Sequence, residues 1–233
     1  MFSLTLFLIA LIEMTEIMAE KKLRFKDCTQ KLLEEIFNLK QVTQHQALQN
    51  WVTPKCEVTP FEKQSLQYLK EHLLLCGQTW NETELRDQFI GPLISLVNFD
   101  NEKVRYFAER NLSALIDEWE LSGRVDALIA QGRWEPKKVY FCMNEYKKEK
   151  DPEGDPGAQA LAAMVVAQEH NAEQSLIYGL YVKGKLWYFM VLCGKEYAIT
   201  EPYTASREDI VDIFMILKTL KQIISDIVNQ AHT

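Results

Sequence analysis

The 233-residue chain is 47% hydrophobic and 25% charged, which excludes a disordered or low-complexity protein and allows one sizeable core with additions. A formal charge of −7 and a pI of about 5.3 exclude nucleic-acid binding through a uniformly basic surface, but leave room for a local basic groove. The five cysteines are scattered, odd in number and without C-x-x-C spacing, which excludes a zinc knuckle and implies a reduced, cytoplasmic compartment.

In chain order, residues 2–12 are apolar but lack the basic start and small-residue cleavage site of a signal peptide, and about 20 apolar residues are needed to span a bilayer. No transmembrane segment is expected; the stretch reads as a helix on the body or as a leader preceding Met14 or Met18. Residues 21–51 carry Phe25, Leu32, Leu33, Ile36, Phe37 and Leu39 near helical spacing and read as an amphipathic accessory helix. With the linker around Pro54, residues 1–58 form an N-terminal helical extension, and 59–233 a single domain. Thr59-Pro60-Phe61-Glu62 is a capping box with proline at the first helical position, so a helix runs to Cys76 and stops at Gly77 in a left-handed cap. Asn81 to Glu84 offers a second start, and Pro92 bends the helix that follows.

Strands are expected over 112–119, 124–130 and 139–147, then a cluster of turn formers at 151–157 and a helix over 158–170. Lys183-Gly184-Lys185 joins the two strands of a hairpin whose aromatics read as core, and a short strand follows over 197–199. Ser206 caps a long helix reaching Gln230. The result is an α/β fold, a mixed sheet with helices packed against it.

The chemistry concentrates in GRVDALIA and VYFCMNEYK, where Asp126 and Glu145 with Lys147 interrupt strand-like apolar runs. Alternation puts Val139, Phe141, Met143, Glu145 and Lys147 on one face of a regular strand, with Asp126 beside Glu145 if the strands pair. Two carboxylates, water and the carbonyl of Tyr146 suit Mg²⁺, with Mn²⁺ as a substitute. Lys147 is placed to orient an attacking water. Glu-x-Lys also occurs at Glu20 and Glu135, and a solvated strand end explains the spacing equally well. Arg124 reads as a phosphate contact or an ion-pair partner. Residues 133–150 hold six basic side chains against three acids, which suits either a nucleic-acid groove or a solvated turn.

The order helix, GRVD, NEYK, then a helix opened by GAQ resembles the PD-(D/E)XK nuclease superfamily, the restriction-endonuclease-like fold, over residues 81 to about 200. The layout is similar to the nuclease domains of type I restriction subunits and their stand-alone relatives, although GRVD stands where the superfamily has proline-aspartate. The resemblance implies an αβββαβ core and an endonuclease acting on DNA. It assigns Asp126 and Glu145 to the metal, Lys147 to the water, and supporting roles to Glu84 and Gln159. From the residues alone, Glu84 also completes a capping box with Asn81. Two functions remain open: a Mg²⁺-dependent DNA nuclease, or a catalytically silent binding or assembly protein whose terminal helices serve self-association or a larger complex.

Overall fold

The computed structural model describes residues 21–53, 56–147, 155–171 and 176–230, the side chains of 144–147 excepted. The apolar residues 2–12 and most of the 151–157 turn lie outside that description. The elements in order are β1 (Lys21–Arg24), α1 (Gln30–Phe37), β2 (Lys40–Gln41), α2 (Gln46–Val52), α3 (Pro60–Cys76) and α4 (Glu82–Leu85). A π-helical turn (Arg86–Ile90) leads into α5 (Gly91–Val97). Then come β3 (Val104–Ile116), β4 (Trp119–Gln131), β5 (Lys138–Lys147), α6 (Pro156–His170), β6 (Ile177–Lys183), β7 (Leu186–Cys193), β8 (Glu196–Ile199), β9 (Tyr203–Thr204) and α7 (Asp209–Gln230). The expected sequence of helix, three strands, helix, hairpin and long helix is present, on a mixed sheet with helices on both faces.

The sheet runs β1-β4-β5-β6-β7-β8-β2, with β3 added to β4 and β9 to β7. The pairs β1–β4, β5–β6 and β2–β8 are parallel and the others antiparallel. β4 is the strand that positions everything else. One of its edges carries β3 along almost its whole length. The other is divided: β1 takes residues 119–122, β5 takes residues 127–131, and residues 123–126 lie between them.

Each face of the sheet has its own core. One contains Phe141, Met143 and Leu180 under helices α2 to α5 and α7. The other contains Val125, Leu128 and Cys142 under α1 and α6. Helix α6 is apolar on every side, and residues 157–167 are all buried, as expected for the crossover between parallel β5 and β6. Trp51 pins α2 down: its indole donates to the Ile216 carbonyl at 2.9 Å while its edges meet Tyr178 and Phe189.

Local signals account for several elements directly. Thr59 accepts from the Glu62 amide at 3.2 Å and Glu62 accepts from the Thr59 amide at 2.8 Å, which completes the capping box of α3. Gly184 has φ 60°, and Lys183 pairs with Leu186, so β6 and β7 form the expected hairpin, with Lys183 in the strand and a two-residue loop in place of the three-residue connection. Pro92 is accommodated by the π turn, whose last bond runs from the Gly91 amide to the Arg86 carbonyl.

Several expectations are corrected. Residues 21–51 do not form one helix: β1, α1, β2 and most of α2 occupy them, because Lys21–Arg24 pairs with β4 and Lys40–Gln41 with β8. The strand expected over 112–119 is β3, which begins eight residues earlier and ends before a turn at Asp117, where φ is 53°. Gly77 is right-handed, φ −59°; the left-handed helix ends are Asn38 and Asn98. Helix α7 starts at Asp209, and Ser206 lies in the preceding turn. Finally, Tyr140 is a bulge between Val139, which pairs with Ala130, and Phe141, which pairs with Ile129. Val139 therefore joins Cys142's core and not that of Phe141 and Met143, because one extra residue reverses the alternation.

Candidate functional site

Asp126 sits in the interval of β4 between β1 and β5, half-buried, where one edge of the strand has neither neighbour. The alternation of the strand also slips here. Leu121 and Val125 belong to the core under α6, but Ala127 and Ile129 belong to the opposite one, although residues two apart share a face in a regular strand. β3 slips at the same level: Phe107 and Leu112 reach the same core from positions of opposite parity. Between them, Glu109 holds φ at 53°, a left-handed conformation rarely adopted by glutamate. The pairs Ala108–Ala127 and Arg110–Val125 bracket Glu109 and Asp126 on adjacent strands.

β5 breaks at the corresponding place. Asn144 pairs with Tyr181 of β6 and Tyr146 with Val182, so Glu145 is the extra residue of a bulge, and Lys147 follows opposite Lys183. Ala127 faces Met143 across β4 and β5, so an unbroken pleat would send Asp126 and Glu145 to opposite faces. Both strands are irregular at those residues, so regular alternation does not set which faces they take. The side chains of Glu145 and Lys147 lie outside the described residues, and so does their convergence with Asp126.

The charged groups around Asp126 form a chain. The carboxylate of Glu109 binds Arg124 through one oxygen and Arg86 Nη1, at 2.8 Å, through the other. Arg86 Nε also meets Asp87 Oδ1 at 3.0 Å. Hydrogen bonding to Asp87 and the nearby Glu109 charge raise the Arg86 guanidinium above its ordinary value despite partial burial. Arg124, for which both a phosphate contact and an ion-pair role were open, is thus in an ion pair. Arg86 and Glu109 were not singled out from the sequence. The charge of Glu109 within the β3 run was the only local signal, and its partner is 23 residues away.

Glu84 is exposed and occupied by the capping box: it accepts from the Asn81 amide at 2.7 Å, and its own amide donates to Asn81 at 2.9 Å. The capping reading is the one the geometry supports. Gln159 is buried, 9% exposed, in the first turn of α6, whose N-cap Asp155 accepts from the Ala158 amide at 3.0 Å.

Carboxylate oxygens are the hard donors that Mg²⁺ takes; Glu109 has both of its own committed to arginines. Among the described residues, no three His, Cys, Asp or Glu side chains form a group able to hold a metal. A cleft of about 990 Å³ lies elsewhere, lined by residues of α2, α5 and α7. Its lysines are engaged in packing: Lys218 binds Glu62 at 2.9 Å, and Lys221 donates to the Val97 carbonyl at 3.2 Å. Among the described residues, no helix is long and apolar enough to cross a membrane. No protein-family model matches the chain, and no curated protein matches its sequence.

Proposed function

We propose that the chain is a metal-dependent nuclease that hydrolyses DNA phosphodiester bonds, with Asp126, Glu145 and Lys147 as its working residues. One observation carries this reading: three neighbouring strands depart from regular pleating at one level, and the irregular positions are the acids Glu109, Asp126 and Glu145. Bulges and strained residues inside a sheet cost stability, and they concentrate where side chains must be re-aimed for chemistry. Residues 123–126 of β4 pair with neither β1 nor β5, and Asp126 is half-buried there.

Asp126 and Glu145 would hold Mg²⁺ or Mn²⁺, which when bound supplies a Lewis acid for the phosphoryl group. Lys147 orients the attacking water and offsets charge that builds on the phosphate oxygens. Arg124, held by Glu109, keeps a positive charge beside the acid on the same strand. Glu84 and Gln159 support the site indirectly, by capping the first core helix and by filling the first turn of α6.

The test is cleavage of plasmid and single-stranded DNA with Mg²⁺ or Mn²⁺ by the full chain and by Glu145→Ala and Lys147→Ala. Each substitution is expected to lower the rate by about 100-fold or more, the scale of losing a positioned acid–base group. Metal-dependent cutting that continues unchanged in both variants overturns the assignment. A wild-type protein that binds DNA without cutting it favours the silent scaffold.

A further inference from the structure

The other end of β4 carries a feature that the proposed chemistry does not use. Between β4 and β5 the chain turns through Gly132, Arg133, Trp134, Glu135, Pro136 and Lys137, and Trp134 is left 79% exposed. Trp51, Trp80 and Trp187 are all buried, and Trp119 is half-buried, so this is the only exposed tryptophan among the described residues. The Arg133 guanidinium lies 5.3 Å from the centre of the indole.

The turn is held in shape. The Lys137 amide donates to the Gln131 carbonyl at 2.7 Å. Gly132 has φ 134°, and a Cβ there would stand 1.9 Å from the Glu135 carbonyl oxygen, so only glycine fits. The indole is therefore presented on a fixed hairpin tip, where ordering costs on binding are low.

Arg133 and Lys137 are exposed, and Lys138 is half-exposed with its Nζ 5.9 Å over the Tyr140 ring. None of the three makes an ion pair among the described residues, and Glu135 is the one acid in the turn. On a chain of net charge −7, this is a compact positive tip with an open aromatic surface.

We infer that this tip binds single-stranded nucleic acid, Trp134 stacking on an unpaired base while Arg133, Lys137 and Lys138 meet the adjacent phosphates. Stacking needs a base face, which a duplex hides and a single strand offers, and it is tolerant of sequence. An anionic lipid surface also attracts tryptophan and cations, but interfacial anchoring takes a broad apolar face, and this tip presents one large apolar side chain. The inference deepens the nuclease reading by naming a single strand as the substrate. Asp126 and Gln131 lie on the same strand, about 17 Å apart at the usual rise per residue, so a strand held at the tip can run toward the acid.

The test is binding of a fluorescent oligothymidine to the full chain in EDTA, read by anisotropy and by quenching of indole fluorescence. Trp134→Ala is expected to weaken binding by about 5- to 150-fold, the range for one base–aromatic stack, while Trp134→Phe retains most of the affinity. The double variant Arg133→Ala/Lys137→Ala should reduce the slope of log affinity against log salt by about 1.4. Unchanged affinity in Trp134→Ala overturns the inference, as does binding and quenching by phosphatidylserine vesicles but not by oligothymidine. EDTA removes cleavage from the measurement, so the binding result does not depend on whether Glu145 and Lys147 carry out chemistry. Persistent cutting by Glu145→Ala and Lys147→Ala would then refute the nuclease assignment and leave this one standing.

Discussion

Cys28 and Cys142 show how burial governs single side chains in this protein. Burial, with Asp27 and Asp155 nearby, pushes the Cys28 thiol up to about 12, and burial alone raises Cys142. Only the thiolate is nucleophilic, so both are expected to resist alkylation near neutral pH, whereas the half-buried Cys56, Cys76 and Cys193 are accessible. Mass spectrometry after a short iodoacetamide pulse should find label at those three and reach Cys28 and Cys142 only after unfolding. Equal labelling of all five in the native protein contradicts this packing. At the same scale, Asp126, Glu145 and Lys147 stand out in the sequence as candidates because they interrupt apolar runs. Arg86 and Glu109 do not, since an ion pair across 23 positions leaves no periodic mark on a sequence.

Helix α3 carries a stability prediction of its own. Burial would raise Glu62, but hydrogen bonds from Lys218 and Thr59 outweigh it and hold the carboxyl below its ordinary value. A lowered carboxyl stabilises the fold fully above its unfolded value near 4.5, and that contribution disappears as pH falls through the folded value. Glu62→Gln is therefore expected to lower stability by about 1–2 kcal/mol at pH 7, with the deficit shrinking below about pH 4.5 as the wild type loses its own carboxylate. Urea titrations at pH 7 and pH 4 measure both, and a deficit that grows in acid contradicts the sign. Gly123 supplies a second test among the strands. A Cβ there would stand 2.3 Å from the Phe25 ring, so Gly123→Ala should cost about 1–3 kcal/mol through overpacking. A thermal melt unchanged from wild type would show that β1 and Phe25 do not seat against β4 as described.

These elements were unequally legible in the sequence. The capping box of α3 and the β6–β7 hairpin are set by residues within four positions of one another, and the apolar run of α6 marks a fully buried crossover. β1 and β2 are four and two residues long, and only their parallel partners, far along the chain, make them strands. The first part of β3 reads as polar because Arg105, Glu109, Arg110 and Asn111 are exposed or half-exposed on an edge of the sheet. The bulge at Tyr140 follows from fitting β5 between β4 and β6, and no local rule announces it.

At the scale of the whole molecule, the mixed sheet between two helical layers is the part of the fold anticipated from the order of segments. The proposed site lies where β4 pairs with neither β1 nor β5, around Asp126. If Asp126 and Glu145 hold a cation as proposed, millimolar Mg²⁺ is expected to raise the melting temperature of the wild type and not of Asp126→Asn. Equal shifts in both proteins would place the cation elsewhere.

The short parallel strands at the sheet's margins bear on the order in which the molecule is built. Lys21 meets Trp119 and Lys40 meets Glu196, so both N-terminal strands wait for partners that emerge much later in the chain. Closing such long loops is slow, and four- and two-residue strands return little for it. Their amides should exchange with solvent through a partial opening that leaves β4 to β7 protected. Since β1 borders one side of the interval that contains the half-buried Asp126, the same opening would uncover that residue without unfolding the sheet.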